Sequence, residues 1–169
     1  MKNAKVEITT IAESQWKLCR DLRLEALKES PLAFSASHEE EEGLSESTWR
    51  ARSKNALFAM DQGIPVGMIV LMRRDSQKTR HIANIFGLYV KTSHRGQGFG
   101  NQLLNGAIQK LKAVKHLEKI KLTVVNTQKQ AIDLYKKFEF QEVGILKNEL
   151  YHQGKFYDEL VMERYLKQV

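Results

Sequence analysis

The chain has 169 residues and a mass of 19.5 kDa, a size typical of one domain. Hydrophobic residues make up 42% of it and charged residues 28%, and it contains 2 prolines, so collagen, low-complexity and disordered chains are excluded. Lys and Arg outnumber Asp and Glu by 27 to 20, and the net charge of +7 favours anionic partners. The basic residues are dispersed along the sequence, which argues against nucleic acid as the partner.

Neither a membrane span nor a secretion signal is predicted. The longest apolar run, Ile64 to Met72, is interrupted by Gly67 and is shorter than the roughly 20 residues that a span requires. Residues 1–7 lack the apolar stretch of a secretion signal. Cys19 is the only cysteine, which excludes an intrachain disulfide and a cysteine-built metal site. We therefore expect a cytoplasmic protein that forms a single domain over residues 1–169, with no membrane contact and no metal.

The first half of the chain predicts two helices and then a group of antiparallel strands. Apolar and polar residues alternate at 5–10, which indicates a short strand, and Ser14 then occupies the position of a helix cap. Pro31 ends that helix, and residues 31–43 are expected to form a loop before a second helix at 45–52. The strands predicted next lie at 56–60, 66–73 and 82–90, with a hairpin turn at 61–63.

The second half alternates helices and strands. A glycine-rich turn at 95–100 leads into a helix whose apolar face runs from Leu103 to Val114. The elements predicted after it are a strand at 119–125, a helix at 128–138, and strands at 141–146 and 156–164. The order β-α-α-β-β-β-α-β-α-β-β predicts an α/β domain with a mixed sheet, in which the strands at 82–90 and 119–125 pair in parallel.

The glycine-rich turn is the most informative stretch of the sequence. It reads Arg95-Gly96-Gln97-Gly98-Phe99-Gly100-Asn101 between a predicted strand and a predicted helix, and we call it the glycine turn. Unpaired N–H groups and the helix dipole make a helix start an anion site, and three glycines in five residues let the backbone approach a ligand closely. Arg95 adds a guanidinium suited to phosphate oxygens. The turn therefore predicts a site for a diphosphate.

Two common phosphate-binding motifs do not fit the glycine turn. A P-loop needs Lys followed by Ser or Thr after its last glycine, and here Asn101 follows Gly100. A dinucleotide-binding fingerprint needs the spacing G-x-G-x-x-G and an acidic residue at the end of the next strand. The spacing here is G-x-G-x-G, and the next strand ends at Asn126. The sequence therefore favours another carrier of a diphosphate.

The glycine turn and a second segment together resemble the GNAT family of N-acetyltransferases. Residues 95–100 fit R/Q-x-x-G-x-G/A, the family's acetyl-CoA-binding motif. The residues that fit the family's second segment, N-x(4)-A-x-x-L-Y-x-x-x-G-F, are Asn126, Ala131, Leu134, Tyr135, Phe138 and Phe140. Glu139 stands where the family usually has glycine, and we expect a less tight turn there. The resemblance implies an α/β, GNAT-like acyl-CoA N-acyltransferase fold, a mixed central sheet of about seven strands flanked by about four helices.

The resemblance also implies how acetyl-CoA, as co-substrate, would be bound. In the family, the strand before the glycine turn splays from its neighbour and the pantetheine arm inserts between them. The residues implied to contact acetyl-CoA are Leu88, Tyr89, Val90, Arg95, Gly96, Gln97, Gly98, Phe99, Gly100, Asn101, Asn126, Ala131 and Tyr135. The backbone of 88–90 would bind pantetheine and polarise the thioester carbonyl, and Gly87 is consistent with a bulge in this strand. Lys129 or Lys137 would meet the adenosine phosphate.

Tyr135 has two interpretations. Its helical spacing places it on an apolar stripe, which alone favours a core aromatic. The resemblance implies instead a general acid toward the departing CoA thiolate, for which a pKa of about 10 is suitable. The implied reaction is direct attack by a substrate amine within a ternary complex. The strand at 82–90 has no carboxylate to act as base, which leaves a water chain or a carboxylate elsewhere, such as Glu25, Glu149 or Asp158.

The resemblance implies that the acceptor is a small-molecule or peptide amine. Its identity stays open among polyamines, aminoglycosides, amino acids, protein N-termini and lysine side chains. The acidic run at 39–42 is either a solvated loop or a stretch that attracts a cationic amine. Tyr151, Tyr157 and Glu149 are the other candidates for the acceptor side, and Cys19 is expected to be a buried, inert thiol. A module that binds CoA or an acyl-CoA without turnover is the alternative function. Family members are often dimers, so a homodimer is a further expectation.

Overall fold

The computed structural model describes residues 6–166. Its helices are α1 (Trp16–Glu29), α2 (His38–Glu42), α3 (Glu46–Ser53), α4 (Phe99–Lys112) and α5 (Lys129–Lys137). Its strands are β1 (Glu7–Thr9), β2 (Ala56–Asp61), β3 (Ile64–Arg73), β4 (Ile82–Val90), β5 (Lys119–Val125), β6 (Gln141–His152) and β7 (Lys155–Tyr165). The predicted order of elements is confirmed, with α2 as an addition. None of the described helices is long and apolar enough to cross a membrane.

The strands form a seven-stranded mixed sheet in the order β1-β2-β3-β4-β5-β7-β6. β4 and β5 are parallel, as the strand–helix–strand pattern predicts. The antiparallel pairs are β1 with β2, β2 with β3, β5 with β7, and β6 with β7. The fold class predicted from the sequence is therefore confirmed.

The chain divides into two compact units. Within the described residues, the first consists of 6–71 together with 87–108, and the second of 72–86 together with 109–166. In the first unit, the apolar side of α1 packs in a core with strand residues, and this core includes Cys19, Leu22, Ala26, Leu27, Phe58, Met68 and Tyr89. Cys19 is 2% exposed, and burial raises the pKa of its thiol to about 11, so it is the buried thiol that the sequence predicts.

The predicted loop at 31–43 is wrong in part, because its acidic end forms α2. Ser37 caps this helix: its Oγ accepts the Glu40 N–H at 3.2 Å, and a Glu40 carboxylate oxygen accepts the Ser37 N–H at 2.6 Å. This reciprocal capping box satisfies two backbone donors that would otherwise lack partners at the helix start. Glu41 of the same run is 3% exposed, so it is not part of a solvated loop.

The start of the chain differs from the prediction in two details. β1 begins at Glu7, and Lys5, predicted as the first residue of this strand, lies outside the described residues. Ser14 does not cap α1, because a turn of 3-10 helix from Glu13 to Gln15 precedes it. The Gln15 side chain accepts the Ala12 N–H at 3.1 Å and so closes this end instead.

In the second unit, β5 pairs with β7 from Lys119 to Val125, its whole length. Ile120 of β5 and Met162 of β7 are fully buried. β6 pairs with β7 and, at 12 residues, extends well beyond the strand predicted at 141–146. Most of its residues are exposed, so apolar burial does not mark its later part in the sequence.

Candidate active site

The glycine turn joins β4 to α4 in the first unit. A 3-10 turn at Thr92–His94 follows β4, and α4 begins at Phe99. Gly96 and Gly98 have φ angles of 75° and 88°, in the left-handed region that residues with a Cβ rarely adopt. A Cβ built on either glycine would meet no atom within 4 Å, so the space beside the turn is open. The backbone is therefore shaped as a cradle that depends on glycine.

Backbone N–H groups of the glycine turn are available to a ligand. Within residues 6–166, the N–H groups of 96–100 donate to no carbonyl or side-chain acceptor. Such groups at a helix start have no partner inside the helix, and the dipole makes this end partly positive. The Gly98 carbonyl accepts the Gln102 N–H at 3.1 Å, and Phe99 is buried edge-to-face against His94 at 5.5 Å. These contacts fix the start of α4 and leave the turn with the features that favour an anion at a helix start.

Arg95 folds back onto the end of β4. Its Nε donates to the Val90 carbonyl at 2.9 Å, and its Nη2 donates to Ser30 Oγ at 3.1 Å. Its guanidinium lies over the Tyr89 ring, 5.8 Å from the ring centroid. A guanidinium has about five N–H donors, so others stay available to a ligand. Arg95 thus holds the turn against β4 and places a positive charge beside it.

The last residues of β4 are anchored to α1 through Tyr89. Its Oη donates to Glu29 at 2.6 Å and to Glu25 at 3.3 Å, and Thr92 Oγ1 also donates to Glu29 at 2.9 Å. The pKa of Tyr89 is raised, first by burial and next by the hydrogen bond with Glu29. The pKa of Glu29 is lowered, first by that same hydrogen bond and next by the one from Thr92. The Tyr89 hydroxyl is therefore engaged in hydrogen bonds with α1, so a ligand would contact the backbone of Tyr89 and not its side chain.

The ladder between β4 and β5 is short. Its register pairs join Ile82, Ala83 and Asn84 of β4 to β5, and among the described residues it continues no further. Gly87, later in β4, has a φ of 59°, which interrupts the extended backbone. Leu88 and Val90 are half-buried. The register pairs thus end before Gly87, where the extended backbone of β4 is interrupted.

The second segment lies in the second unit, where it follows β5. Asn126 comes directly after β5; its N–H donates to the Asp158 carbonyl at 3.0 Å, and the residue is exposed. Ala131 is half-buried in the first turn of α5. Lys129 and Lys137, the lysines considered for the adenosine phosphate, stand at opposite ends of α5. The structure thus places the motif residues on one loop and one helix.

Tyr135 has features of both roles that the sequence leaves open, a core aromatic and a general acid. It is 7% exposed, and its ring packs edge-to-face on Phe140 with 5.9 Å between the ring centroids. Its hydroxyl makes no hydrogen bond with another described residue, and burial raises its pKa above the ordinary value of 10.0. The phenol therefore stays protonated at neutral pH, which is the form that a general acid requires.

The turn at Glu139 is closed, contrary to the less tight turn expected there. Glu139 has a φ of 62°, the left-handed geometry for which glycine is suited. The Phe140 N–H donates to the Tyr135 carbonyl at 3.1 Å, and the Glu139 N–H donates to the Lys136 carbonyl at 2.9 Å. Arg164 binds the Glu139 carboxylate at 2.8 Å and the Phe138 carbonyl at 2.7 Å. Backbone hydrogen bonds thus impose the turn despite the side chain.

Replacing Glu139 by glycine is expected to raise the free energy of unfolding by about 1 kcal/mol. Left-handed backbone costs a residue with a Cβ about 1–2 kcal/mol, whereas an exposed ion pair such as that with Arg164 contributes about 0–1 kcal/mol. Urea unfolding measures the change. Glu139→Ala is the matched control, because it keeps the strained backbone and removes the ion pair. A less stable Glu139→Gly protein would show that the ion pair outweighs the strain.

The carboxylates considered as catalytic bases are constrained differently. Glu25 forms an ion pair with Lys91 at 3.0 Å. Asp158 accepts hydrogen bonds from Lys147 at 2.8 Å and from the Asn148 N–H at 2.9 Å, and these bonds lower its pKa. Glu149 lies on the exposed strand β6. A lowered pKa makes Asp158 a weaker base.

A mixed sheet with a glycine-rich strand-to-helix turn, whose N–H groups border open space, is typical of α/β proteins that bind phosphate-containing ligands. The model of the Acetyltransferase (GNAT) family matches residues 17–140, a range that contains both the glycine turn and the second segment. The chain therefore belongs to the GNAT family of acetyltransferases, and the resemblance seen in its motifs is confirmed.

Individual proteins resemble the chain over different lengths. The spermidine N(1)-acetyltransferase of Vibrio cholerae serotype O1 is 31% identical over 78 residues, which is 46% of this chain and 45% of that protein. The chain thus matches less than half the length of this curated relative. An acetyltransferase of the GNAT family from Streptococcus pneumoniae has the same fold, with a TM-score of 0.87 and 20% identity over 96% of this chain and 100% of that one.

A further structure with this fold was solved with acetyl-CoA. It is the Salmonella typhimurium protein yncA with its cofactor acetyl-CoA, and it has a TM-score of 0.79 and 15% identity over 96% of this chain and 95% of that one. At this level of identity, the likeness shows the shared fold.

Proposed function

We propose that the protein transfers the acetyl group of acetyl-CoA to a primary amine, by direct attack of the amine in a ternary complex. The observation that carries the proposal is the glycine turn, where unpaired N–H groups border open space at Gly96 and Gly98. A side chain at either glycine would extend into that space. The positive charge and the N–H donors of the turn and Arg95 suit the pyrophosphate of acetyl-CoA.

Several parts of the chain would take part in binding. Acetyl-CoA, when bound, supplies an activated thioester. The N–H groups of 96–101 and the Arg95 guanidinium would bind its pyrophosphate. The backbone of 88–90 would bind pantetheine, and an N–H there would donate to the thioester carbonyl oxygen. Asn126 and Ala131 would contact the pantetheine arm.

The reaction moves one proton off the amine and one onto sulfur. The acceptor must be a neutral amine before its nitrogen can attack the carbonyl carbon, which forms the C–N bond and breaks the C–S bond. The amine would lose its proton to a water chain or to Glu149, because ion pairing occupies Glu25 and Asp158. Tyr135, which is protonated and whose hydroxyl has no hydrogen-bond partner among residues 6–166, would donate its proton to the departing thiolate.

Polyamines are the first acceptors to test. The partial match to a spermidine N(1)-acetyltransferase supports an amine acceptor of this kind, although it covers less than half of either chain. Amino acids, aminoglycosides and peptides with a free N-terminus or a lysine complete the set that the family resemblance implies.

Thermal unfolding with acetyl-CoA tests the binding part of the proposal. At 100 times the dissociation constant a ligand stabilises by about 2.7 kcal/mol, or about 5–10 °C for a chain of this size. We expect this shift with acetyl-CoA and none with NADH or ATP. The absence of a shift with acetyl-CoA would overturn the interpretation of the glycine turn.

A matched pair of glycine variants locates the ligand. Gly98→Ala should remove the shift, because the added Cβ strains the turn and enters the open space. Gly154→Ala is the control: Gly154 has a φ of 78°, close to the 88° of Gly98, and also has nothing within 4 Å of a built Cβ. An assay for the free thiol of CoA, run with acetyl-CoA and an amine, then distinguishes the two functions. An enzyme releases the thiol, whereas a module that binds acetyl-CoA without turnover does not.

A further inference from the structure

A basic pocket lies in the second unit, built from residues that the acetyl-transfer proposal does not use. It is a cavity of about 220 Å³. The residues that line it are Arg73, Arg74, Asp75, Arg80, Val114, Lys115 and His116, and we call this set the basic pocket. The cationic side chains come from the end of β3, from the segment that leads to β4, and from the turn after α4.

The backbone around the basic pocket is held by hydrogen bonds. The Arg74 N–H donates to the Ile82 carbonyl at 3.4 Å, and the Ile82 N–H donates to the Thr79 carbonyl at 2.9 Å. After α4, the Leu117 N–H donates to the Val114 carbonyl at 3.2 Å, and Leu117 is buried. The cations are therefore carried by defined turns.

The charge in the basic pocket is not balanced. Three arginines and one lysine line it, and Asp75 is its only acidic residue. Among residues 6–166, none of these four cations forms an ion pair. The arginines that do form ion pairs are Arg20, Arg23, Arg50, Arg52 and Arg164. The arginines without one are Arg95 at the glycine turn and the three in this pocket, so the unpaired arginines occur at only two places in the described chain.

We propose that the basic pocket binds a compact anion with several phosphate groups, such as a short polyphosphate chain. Guanidinium groups offer paired donors that match phosphate oxygens, and several of them around one cavity fit an anion with several charges. The cavity is smaller than the about 300–1,000 Å³ typical of sites for larger ligands, so it suits the phosphate groups without an attached base and sugar. An extended nucleic-acid backbone has the same oxygens, but a concave pocket of this size favours the compact ligand.

The test is a calorimetric titration of the full-length protein with sodium tripolyphosphate at about 50 mM salt, where phosphate contacts are strong. We expect Arg73→Ala/Arg74→Ala to bind tripolyphosphate at least tenfold more weakly than the unchanged protein. Lys110→Ala/Lys112→Ala is the matched control, because it removes two charges from exposed positions of α4 that do not line the pocket. Its affinity should change less than threefold.

Two further variants keep the test decisive. Arg95→Ala should retain tripolyphosphate binding at the basic pocket, and it should weaken only a second binding event at the glycine turn, which is itself proposed to bind a diphosphate. Arg73→Lys/Arg74→Lys keeps the charge and removes the paired donors, and it should bind several-fold more weakly, which covers the case in which the alanine variant fails to fold. Three results would each overturn the proposal. They are equal losses in the Arg73/Arg74 and Lys110/Lys112 alanine variants, loss of all tripolyphosphate binding with Arg95→Ala, and binding of a single-stranded oligoribonucleotide without binding of tripolyphosphate.

Discussion

Replacing Tyr135 by phenylalanine should lower kcat by about 100-fold or more while the dissociation constant of acetyl-CoA stays unchanged. A positioned general acid typically contributes about 10²–10⁴-fold, and Tyr135 is the residue proposed to protonate the departing thiolate. The Tyr135 hydroxyl makes no hydrogen bond with a described residue, so its removal leaves no buried partner unsatisfied. The ring and its contact with Phe140 are retained, and the melting temperature should stay within about 1 °C.

The pH dependence gives this prediction a second readout. Because burial raises the pKa of Tyr135 above 10.0, the phenol stays protonated through the range in which the enzyme would be assayed. A general acid loses activity only as the pH rises through its pKa. The Tyr135-dependent decline in kcat is therefore expected above pH 10, and an activity loss at lower pH must come from another group.

Tyr165→Phe is the control for the chemical change itself. Tyr165 is 71% exposed, so this substitution also removes a tyrosine hydroxyl but leaves the buried surroundings of Tyr135 unchanged. If Tyr135→Phe turned over acetyl-CoA at the unchanged rate, Tyr135 would be a core aromatic only. The proposed acetyl transfer would stand, and the proton would come from water.

The glycine turn could be predicted from the sequence because its chemistry is local. Three glycines, an arginine and a helix start within seven residues determine where the N–H groups point. The same holds for the segment from Asn126 to Phe140, whose helical spacing and motif lie within one loop and one helix. The capping box formed by Ser37 and Glu40 is an equally local signal, and it would have identified α2.

Contacts between distant residues could not be predicted in this way. Glu139 alone suggests a loosened turn, but backbone hydrogen bonds and Arg164, 25 residues away, hold it closed. The cations of the basic pocket are dispersed in the sequence, and only the fold brings Arg73 and Arg80 to one cavity with Lys115. Glu41 belongs to an acidic run, and its partners come from two other helices.

Replacing Glu41 by glutamine should lower the free energy of unfolding by about 3–5 kcal/mol, the usual cost of removing one partner of a buried ion pair. Glu41 accepts two hydrogen bonds from Arg23, both at 2.9 Å, and it pairs with Arg52 at 2.9 Å. The Glu41 side chain is 5% exposed and that of Arg23 16%, so the variant leaves a poorly hydrated guanidinium without its counter-charge. Urea unfolding at pH 7 measures the loss.

Glu46→Gln is the control for loss of a carboxylate. Glu46 pairs with Arg50 at 2.6 Å in the adjacent helix α3, but its side chain is 57% exposed. Exposed pairs of this spacing contribute about 0.3–0.5 kcal/mol, so this variant should be nearly as stable as the unchanged protein. If both variants lost the same free energy of unfolding, burial would not make the Glu41 ion pair more stabilising than an exposed one.

The stability difference between the unchanged protein and Glu41→Gln should depend on pH in one direction. Burial by itself would raise the pKa of Glu41, but the hydrogen bonds and charge of Arg23, and then those of Arg52, outweigh burial and hold the pKa below 4.5. A carboxyl group whose pKa is lower in the folded state stabilises fully above its unfolded pKa, and this contribution disappears as the pH falls through the folded value. The difference should therefore be complete at pH 7 and should shrink below pH 4.5, where only the unchanged protein loses a charge at this position. A difference that stayed constant down to pH 3 would mean that Glu41 acts through packing and hydrogen bonding alone, since the glutamine variant has no charge to titrate.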